Sequence, residues 1–286
     1  MYIVLGGTGH VGSAVVQTLL EHGQDVIIVS RNADKAGGWK QKGANVESVD
    51  VLDTDALQKV FEQGKRLFLL NPPADPSKDT EKEERRSLSS ILIAMKNTPL
   101  EKVVALSTYG AQPGEMIGDL GVLYEMEQAL AKLDIPSTII RGAYYMSNWS
   151  MSLASAQHDG KIYSFYPPDF QLPMVAPQDI GLIAAKLLIE SNSKGNLQYV
   201  EGPARYSPAD VAEAFAKALK RPVEVVEIPR EHWITTMKEV GFSEIASKSM
   251  AGMTAITRDV GSEMPPYPLR GATTLLQYIE DLVKSI

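Results

Sequence analysis

The chain has 286 residues, 44% of them hydrophobic and 22% charged, with a net charge of −7 and no cysteine. This is enough apolar material for a large α/β domain with an appended lobe. The absence of cysteine excludes disulfides, thiolate catalysis and cysteine-ligated metals. The acidic balance argues against a general nucleic-acid footprint. No apolar run approaches the ~20 residues of a membrane span. A strand beginning within the first four residues leaves no room for a signal peptide, so the expected compartment is the cytoplasm.

Residues 2–5, Tyr2-Ile3-Val4-Leu5, read as a buried strand, and Gly6-Gly7-Thr8-Gly9-His10-Val11-Gly12 as a tight turn. Residues 13–22 carry apolar side chains at helical spacing. Strand, glycine turn and helix in that order form the context in which a glycine pattern points to a dinucleotide. The glycines let the backbone approach a pyrophosphate, and the helix aims its unpaired N–H groups at that charge. Two spacings fit, Gly7-x-Gly9-x-x-Gly12 and Gly6-x-x-Gly9-x-x-Gly12.

Further strands are expected over residues 25–30, 46–50, 66–70, 103–107 and 137–141, with helices between them. The run from 74 to 87 is charged and polar, which reads as a solvated loop and helix start. Strands that are nearly all apolar and alternate with helices predict a doubly wound parallel sheet of Rossmann type, covered on both faces. After Gly142 the periodicity fades and aromatics and prolines accumulate, as expected for loops walling a pocket. A helix over 179–189 and a strand over 197–201 return the chain to the sheet. Ser207-Pro208 starts a helix, residues 223–228 form a strand, and three helical stretches close the chain. The expected division is a nucleotide-binding domain of residues 1–142 plus 174–202, and a smaller α+β lobe of 143–173 plus 203–286.

At the end of the second strand, where a dinucleotide fold meets the adenosine ribose, stand Ser30-Arg31-Asn32, with no carboxylate before Asp34. A guanidinium there suits a 2′-phosphate, and Lys35 adds a second cation, so NADPH is favoured over NADH. The other reading of Arg31 and Lys35 is a pair of surface cations. Asp50 and Val51 follow the third strand, where they would face an adenine edge. Asp50 reads equally well as a turn aspartate.

These residues, together with Asn71-Pro72-Pro73 and the stretch IPSTIIRGAYYMSNW over 135–149, resemble the NmrA-like branch of the atypical short-chain dehydrogenases/reductases. The resemblance spans nearly the whole chain, to the segment over 222–229. It implies NADP(H) lying across the C-terminal strand ends and a small pocket between sheet and lobe. Asn71, Pro72, Pro73 and Ser107 thereby join the cofactor set. The wider superfamily places a Tyr-x-x-x-Lys pair on a helix, where the lysine lowers the phenol's pKa from ~10. Here Tyr124 is followed at that spacing by Gln128, so no catalytic acid is assigned.

A quinone or cationic dye accepts hydride without such an acid, which leads to an NADPH-dependent reductase of quinone-like or other planar electrophiles. Tyr109, Tyr144, Tyr145 and Trp149 would offer flat surfaces to a small-molecule substrate, and Asn148 a polar anchor. The same aromatics read equally well as glue between two lobes. The alternative function is a non-catalytic NADP(H) sensor acting through a protein partner. Room for a ring beside the nicotinamide would favour the enzyme, and a filled space the sensor. His10, His22, His158 and His232 are scattered, and no metal site is expected.

Overall fold

The computed structural model describes residues 1–32, 36–190, 196–261 and 263–285. Lys35, a predicted cofactor contact, lies outside the described residues, as does Asp34. The strands are β1 (Tyr2–Leu5), β2 (Val26–Ser30), β3 (Asn45–Ser48), β4 (Arg66–Leu69), β5 (Lys102–Thr108), β6 (Ser137–Gly142), β7 (Tyr144–Tyr145), β8 (Lys161–Ser164), β9 (Leu172–Val175), β10 (Asn196–Glu201), β11 (Arg205–Tyr206), β12 (Glu224–Glu227) and β13 (Leu269–Arg270). The helices are α1 (His10–Glu21), α2 (Gly37–Gln41), α3 (Thr54–Phe61), α4 (Thr80–Ala94), α5 (Asp119–Leu130), α6 (Leu153–His158), α7 (Pro177–Ile189), α8 (Pro208–Leu219), α9 (Trp233–Glu239), α10 (Glu244–Asp259) and α11 (Leu275–Lys284).

Eight strands form one sheet in the order β13-β10-β6-β5-β4-β1-β2-β3, and every pairing in it is parallel. The strand order reverses between β1 and β4, the place where open α/β sheets leave a crevice beyond the carboxyl ends of the strands. Successive residues of each strand feed opposite cores, as the period of two requires. Val4, Ile28, Phe68 and Val104 pack under α1 and α7. Ile3, Ile27, Leu67 and Val103 pack under α3, α4 and α5. The doubly wound parallel fold expected from the sequence is thus present.

A third core gathers Met146, Trp149, Ile162, Met174, Phe215 and Ile279. Around it lie a three-stranded sheet in the order β11-β9-β7 and a parallel pair of β12 and β8. The eighth strand of the main sheet, β13, comes from the C-terminal tract and pairs Val200 with Leu269.

Two expectations require correction. The first helix begins at His10, not at residue 13, because Gly9 is its N-cap and Gly12 lies inside its first turn. The charged run over 74–87 is not wholly solvated: Glu81 is 6% and Glu84 7% exposed. Both turn inward, where hydrogen-bond donors from Gly118, Ser249 and Ala74 meet them.

Candidate active site

Gly6 adopts φ +68°, a left-handed conformation that favours glycine. Its carbonyl accepts from Gly9 N–H at 2.9 Å, closing the turn. A Cβ on Gly12 would stand 2.1 Å from the same oxygen, so the helix approaches the turn more closely than any side chain permits. Gly7 is confined less severely, with the Ile28 side chain 2.8 Å from its would-be Cβ. Gly9 differs. It is exposed, its φ is −92°, and the nearest protein atom to a Cβ there would be Gly6 O at an ordinary 3.4 Å.

α1 has no side-chain cap and no acid in its first turn. By contrast α3, α4, α8, α10 and α11 are capped by Asp53, Asp79, Ser207, Ser243 and Thr274. Thr8, His10 and Val11 complete the rim of this uncapped terminus, which carries the positive end of the helix dipole. Arg31 is exposed just past β2. Asp50 is exposed past β3, and its Oδ1 accepts from Leu52 N–H at 3.0 Å, the turn role that competed with adenine contact. Val51 packs partly against the core under α3.

Beyond β4 and β5 opens a cavity of about 310 Å³. Leu70 joins it to the glycine turn, since the side chain of Leu70 lines the cavity and lies 3.2 Å from where a Gly6 Cβ would be. Of the predicted residues, Asn71, Pro73, Ser107, Tyr109, Tyr144, Tyr145 and Asn148 line it, brought together from 71 to 148 by the strand ends. Asn71 Nδ2 donates to the Glu84 carbonyl at 3.1 Å, and its Oδ1 is buried without a partner.

Two predicted residues are not part of the wall. Pro72, between Asn71 and Pro73, is not among the residues that line the cavity. Trp149 is 4% exposed in the third core, 6.2 Å from the Tyr144 ring, where it packs the lobe behind the wall. Tyr124 is half-buried in a shallow groove with Gln128 between α4 and α5, away from the cavity.

The polar groups of the wall are mostly engaged. Ser107 Oγ donates to Glu127, which also takes two hydrogen bonds from Arg141, at 2.9 and 2.7 Å. Arg141 is 8% exposed, donates to the Ala111 carbonyl and pairs with Glu263, whose other oxygen accepts from Gly110 N–H. Tyr109 donates to Glu201, itself fully buried between Arg205 and Arg270. Burial and that carboxylate push the Tyr109 hydroxyl well above its ordinary value. Burial pushes Tyr144 up to about 12, although the Asn148 hydrogen bond works against it.

Sequence reasoning missed the rest of the lining. Tyr166 closes one side, stacked on Phe170 and edge-on to Tyr144. Met253, Ile256 and Thr257 of α10 roof it, and Glu84 and Asp119 contribute two carboxyl groups. The apolar period of α10 gave no hint of which element that face covers. Glu84 sat unseen within a charge-rich run. Among the described residues no three His, Asp or Glu side chains converge as a metal site, and no helix is long and apolar enough to cross a membrane.

A parallel sheet reversing at β1 and β4, with a glycine turn at that point and a walled cavity beside it, defines a Rossmann-type nucleotide-binding fold. The chain matches the NmrA-like family over residues 2–280 and belongs to that family. It is 24% identical to the NAD(P)H azoreductase of Xenophilus azovorans, over 90% of this chain and 87% of that one. Its fold is similar to that of the NADPH-dependent quinone oxidoreductase of Escherichia coli complexed with NADPH, with a TM-score of 0.84 at 19% identity over 99% of both chains. The triphenylmethane reductase of Citrobacter sp. complexed with NADP(H) is similar at a TM-score of 0.83 and 19% identity, over 98% of this chain and 99% of that one.

Proposed function

We propose that the chain binds NADP(H) across the carboxyl ends of its parallel sheet and reduces a quinone-like or other planar electrophile in the adjoining cavity. The observation that carries this reading is the uncapped N-terminus of α1 behind a turn whose Gly9 meets no protein atom closely. With the Gly9 N–H spent on Gly6, such a terminus leaves the N–H groups of the first turn of α1 and an open backbone face for an anion to occupy. The residues present fit a dinucleotide. Gly6 to Gly12 cradle the pyrophosphate, and the planar fork of Arg31 matches a 2′-phosphate. Asp50 and Val51 border the adenine side, and Asn71, Pro72, Pro73 and Ser107 border the nicotinamide side.

When bound, the reduced nicotinamide would supply a hydride, which carries both electrons of the reduction. The chain itself holds and dries the acceptor. Tyr109, Tyr144 and Tyr145 present ring surfaces, Asn148 offers a polar contact, and Trp149 supports Tyr144 from behind. A cavity of about 310 Å³ at the low end of ordinary ligand-site volumes leaves room for one small ring system. What supports a reductase over a non-catalytic sensor is that the cavity extends past the nicotinamide-side residues Asn71, Pro73 and Ser107 to Tyr144, Tyr166 and α10. On this reading residues 1–142 and 174–202 grip the nucleotide and supply one side of the pocket, while 143–173 and 203–286 close it.

Two measurements test the proposal. Calorimetric titration is expected to give tighter binding of NADPH than of NADH. Nicotinamide absorbance is expected to fall when NADPH and a panel of quinones are added. Equal affinity for the two cofactors would remove the Arg31 assignment, and no turnover above the uncatalysed rate would remove the reductase.

A further inference from the structure

The cavity holds two carboxyl groups that neither the nucleotide cradle nor the aromatic wall accounts for. Glu84 reaches it from the second turn of α4, and Asp119 from the first residue of α5. Glu84 Oε1 accepts from Ala74 N–H at 3.0 Å, and its carboxyl group shares a hydrogen bond with Asp119. Glu84 is 7% exposed while Asp119 stands at the open side of the cavity, so the shared proton rests on Glu84, the member whose charged form loses more by desolvation.

The surroundings keep that proton in place. Glu81, on the same helix, adds a like charge. Arg85 turns away, its guanidinium engaged by Glu81 and Glu125. Tyr145 of β7 faces Asp119 and has its own hydroxyl raised by burial and by that carboxylate. Burial first, then the charge of Asp119, pushes Glu84 up to about 8.

We propose that the Glu84–Asp119 pair is the proton donor of the cavity, delivering one proton to a heteroatom of a neutral acceptor as that acceptor takes up hydride. This rests on the reductase reading given above. A quinone gains two electrons and one proton as hydride from reduced nicotinamide, then one proton from Glu84 on its developing oxyanion. The O–H bond of Glu84 breaks, an O–H bond of the hydroquinone forms, and the carboxylate left behind is reprotonated by water. An azo group is completed in the same way, with a C–N=N–C unit becoming C–NH–NH–C. A triarylmethyl cation needs no such help, since hydride alone makes its neutral product. The pair therefore marks neutral quinones and azo compounds as the substrate class.

Two readouts on Glu84→Gln and Asp119→Asn test the assignment. Glu84→Gln keeps an oxygen acceptor for Ala74 but has no proton to lose. The infrared spectrum of the wild-type protein at pH 7, without cofactor, is expected to contain the carbonyl stretch of a protonated carboxylic acid. That band should shift in heavy water, vanish in Glu84→Gln and shift in Asp119→Asn. Its absence from the wild type overturns the donor role. In single turnovers with NADPH, Glu84→Gln is expected to lower the ratio of quinone to triarylmethane-dye reduction by roughly a hundredfold, the lower range of general acid catalysis. An unchanged ratio, whether both rates fall or neither does, overturns the donor role alone. A folded wild type inert toward quinone, azo dye and triarylmethane dye overturns the reductase reading, and the donor role with it.

Discussion

Gly6 and Gly12 are held so closely that the carbonyl oxygen of one occupies the space a side chain on the other would need, 2.1 Å from its would-be Cβ. The contact is backbone on backbone, so nothing flexible can give way. Gly12→Ala is expected to open the turn, costing about 2–3 kcal/mol of stability by overpacking and abolishing NADPH binding. Chemical denaturation and calorimetry read the two losses.

Gly9 is the control for that experiment, because the protein does not oppose a Cβ there. Gly9→Ala is expected to change stability by less than about 1 kcal/mol, the scale of an N-cap exchange. Its cofactor affinity should nevertheless fall at least tenfold, or about 1.4 kcal/mol. A variant that keeps full affinity would show that the face of the turn is not a binding surface.

Arg31→Ala separates the two cofactors. The loss of charge-assisted hydrogen bonds to a 2′-phosphate is expected to raise the Kd for NADPH by roughly 10- to 100-fold, equivalent to about 1.5–3 kcal/mol. The Kd for NADH should stay within about twofold. Parallel titrations of variant and wild type decide it.

Arg141 is nearly enclosed and holds Glu127 through two hydrogen bonds. Arg141→Met leaves that carboxylate buried without its partner and is expected to cost about 3–5 kcal/mol. Adding Glu127→Gln should recover much of the loss, since the uncompensated charge is then gone. A double-mutant cycle on unfolding free energies measures the coupling.

Stability should carry a pH signature from Glu84. Its folded pKa is raised from 4.5 to about 8 by burial and then by Asp119, so between those values the folded chain retains a proton that the unfolded chain releases. The stabilisation is complete below about 4.5 and lost as pH rises to about 8. The expected slope is on the order of 1 kcal/mol per pH unit, from the free-energy equivalent of a pKa unit. Glu84→Gln should flatten it, as urea denaturation across that range would reveal.

The central strands were legible because a parallel strand covered on both faces is an apolar run, and β1, β2, β4, β5 and β6 all are. β3 slid by a residue or two, for Val49 N–H still reaches Ser30 O past the end of the strand. β7, β11 and β13 are two residues each, too short for any period to register. The lining of the cavity was legible where strand ends position it, as at Asn71, Ser107 and Tyr109. It was illegible where a charge faces inward, because Glu84 looks in sequence like a surface acid. Its burial is decided by where α4 meets α5 and what covers it, which no local pattern records. Trp149 shows the converse, since an aromatic beside a pocket in sequence can pack behind its wall, as this one does in the third core.

The pairing of β13 with β10 makes the far end of the chain the guard of an otherwise bare sheet margin. Cutting before Leu269 would expose the backbone groups at Val200 and Glu201, the end of β10 that β13 covers, and lengthen the edge open to another molecule's strand. The same cut would strip Arg270 from Glu201, the carboxylate that anchors Tyr109. A truncated protein should therefore self-associate and loosen its aromatic wall together, although no residue of the glycine turn has been touched.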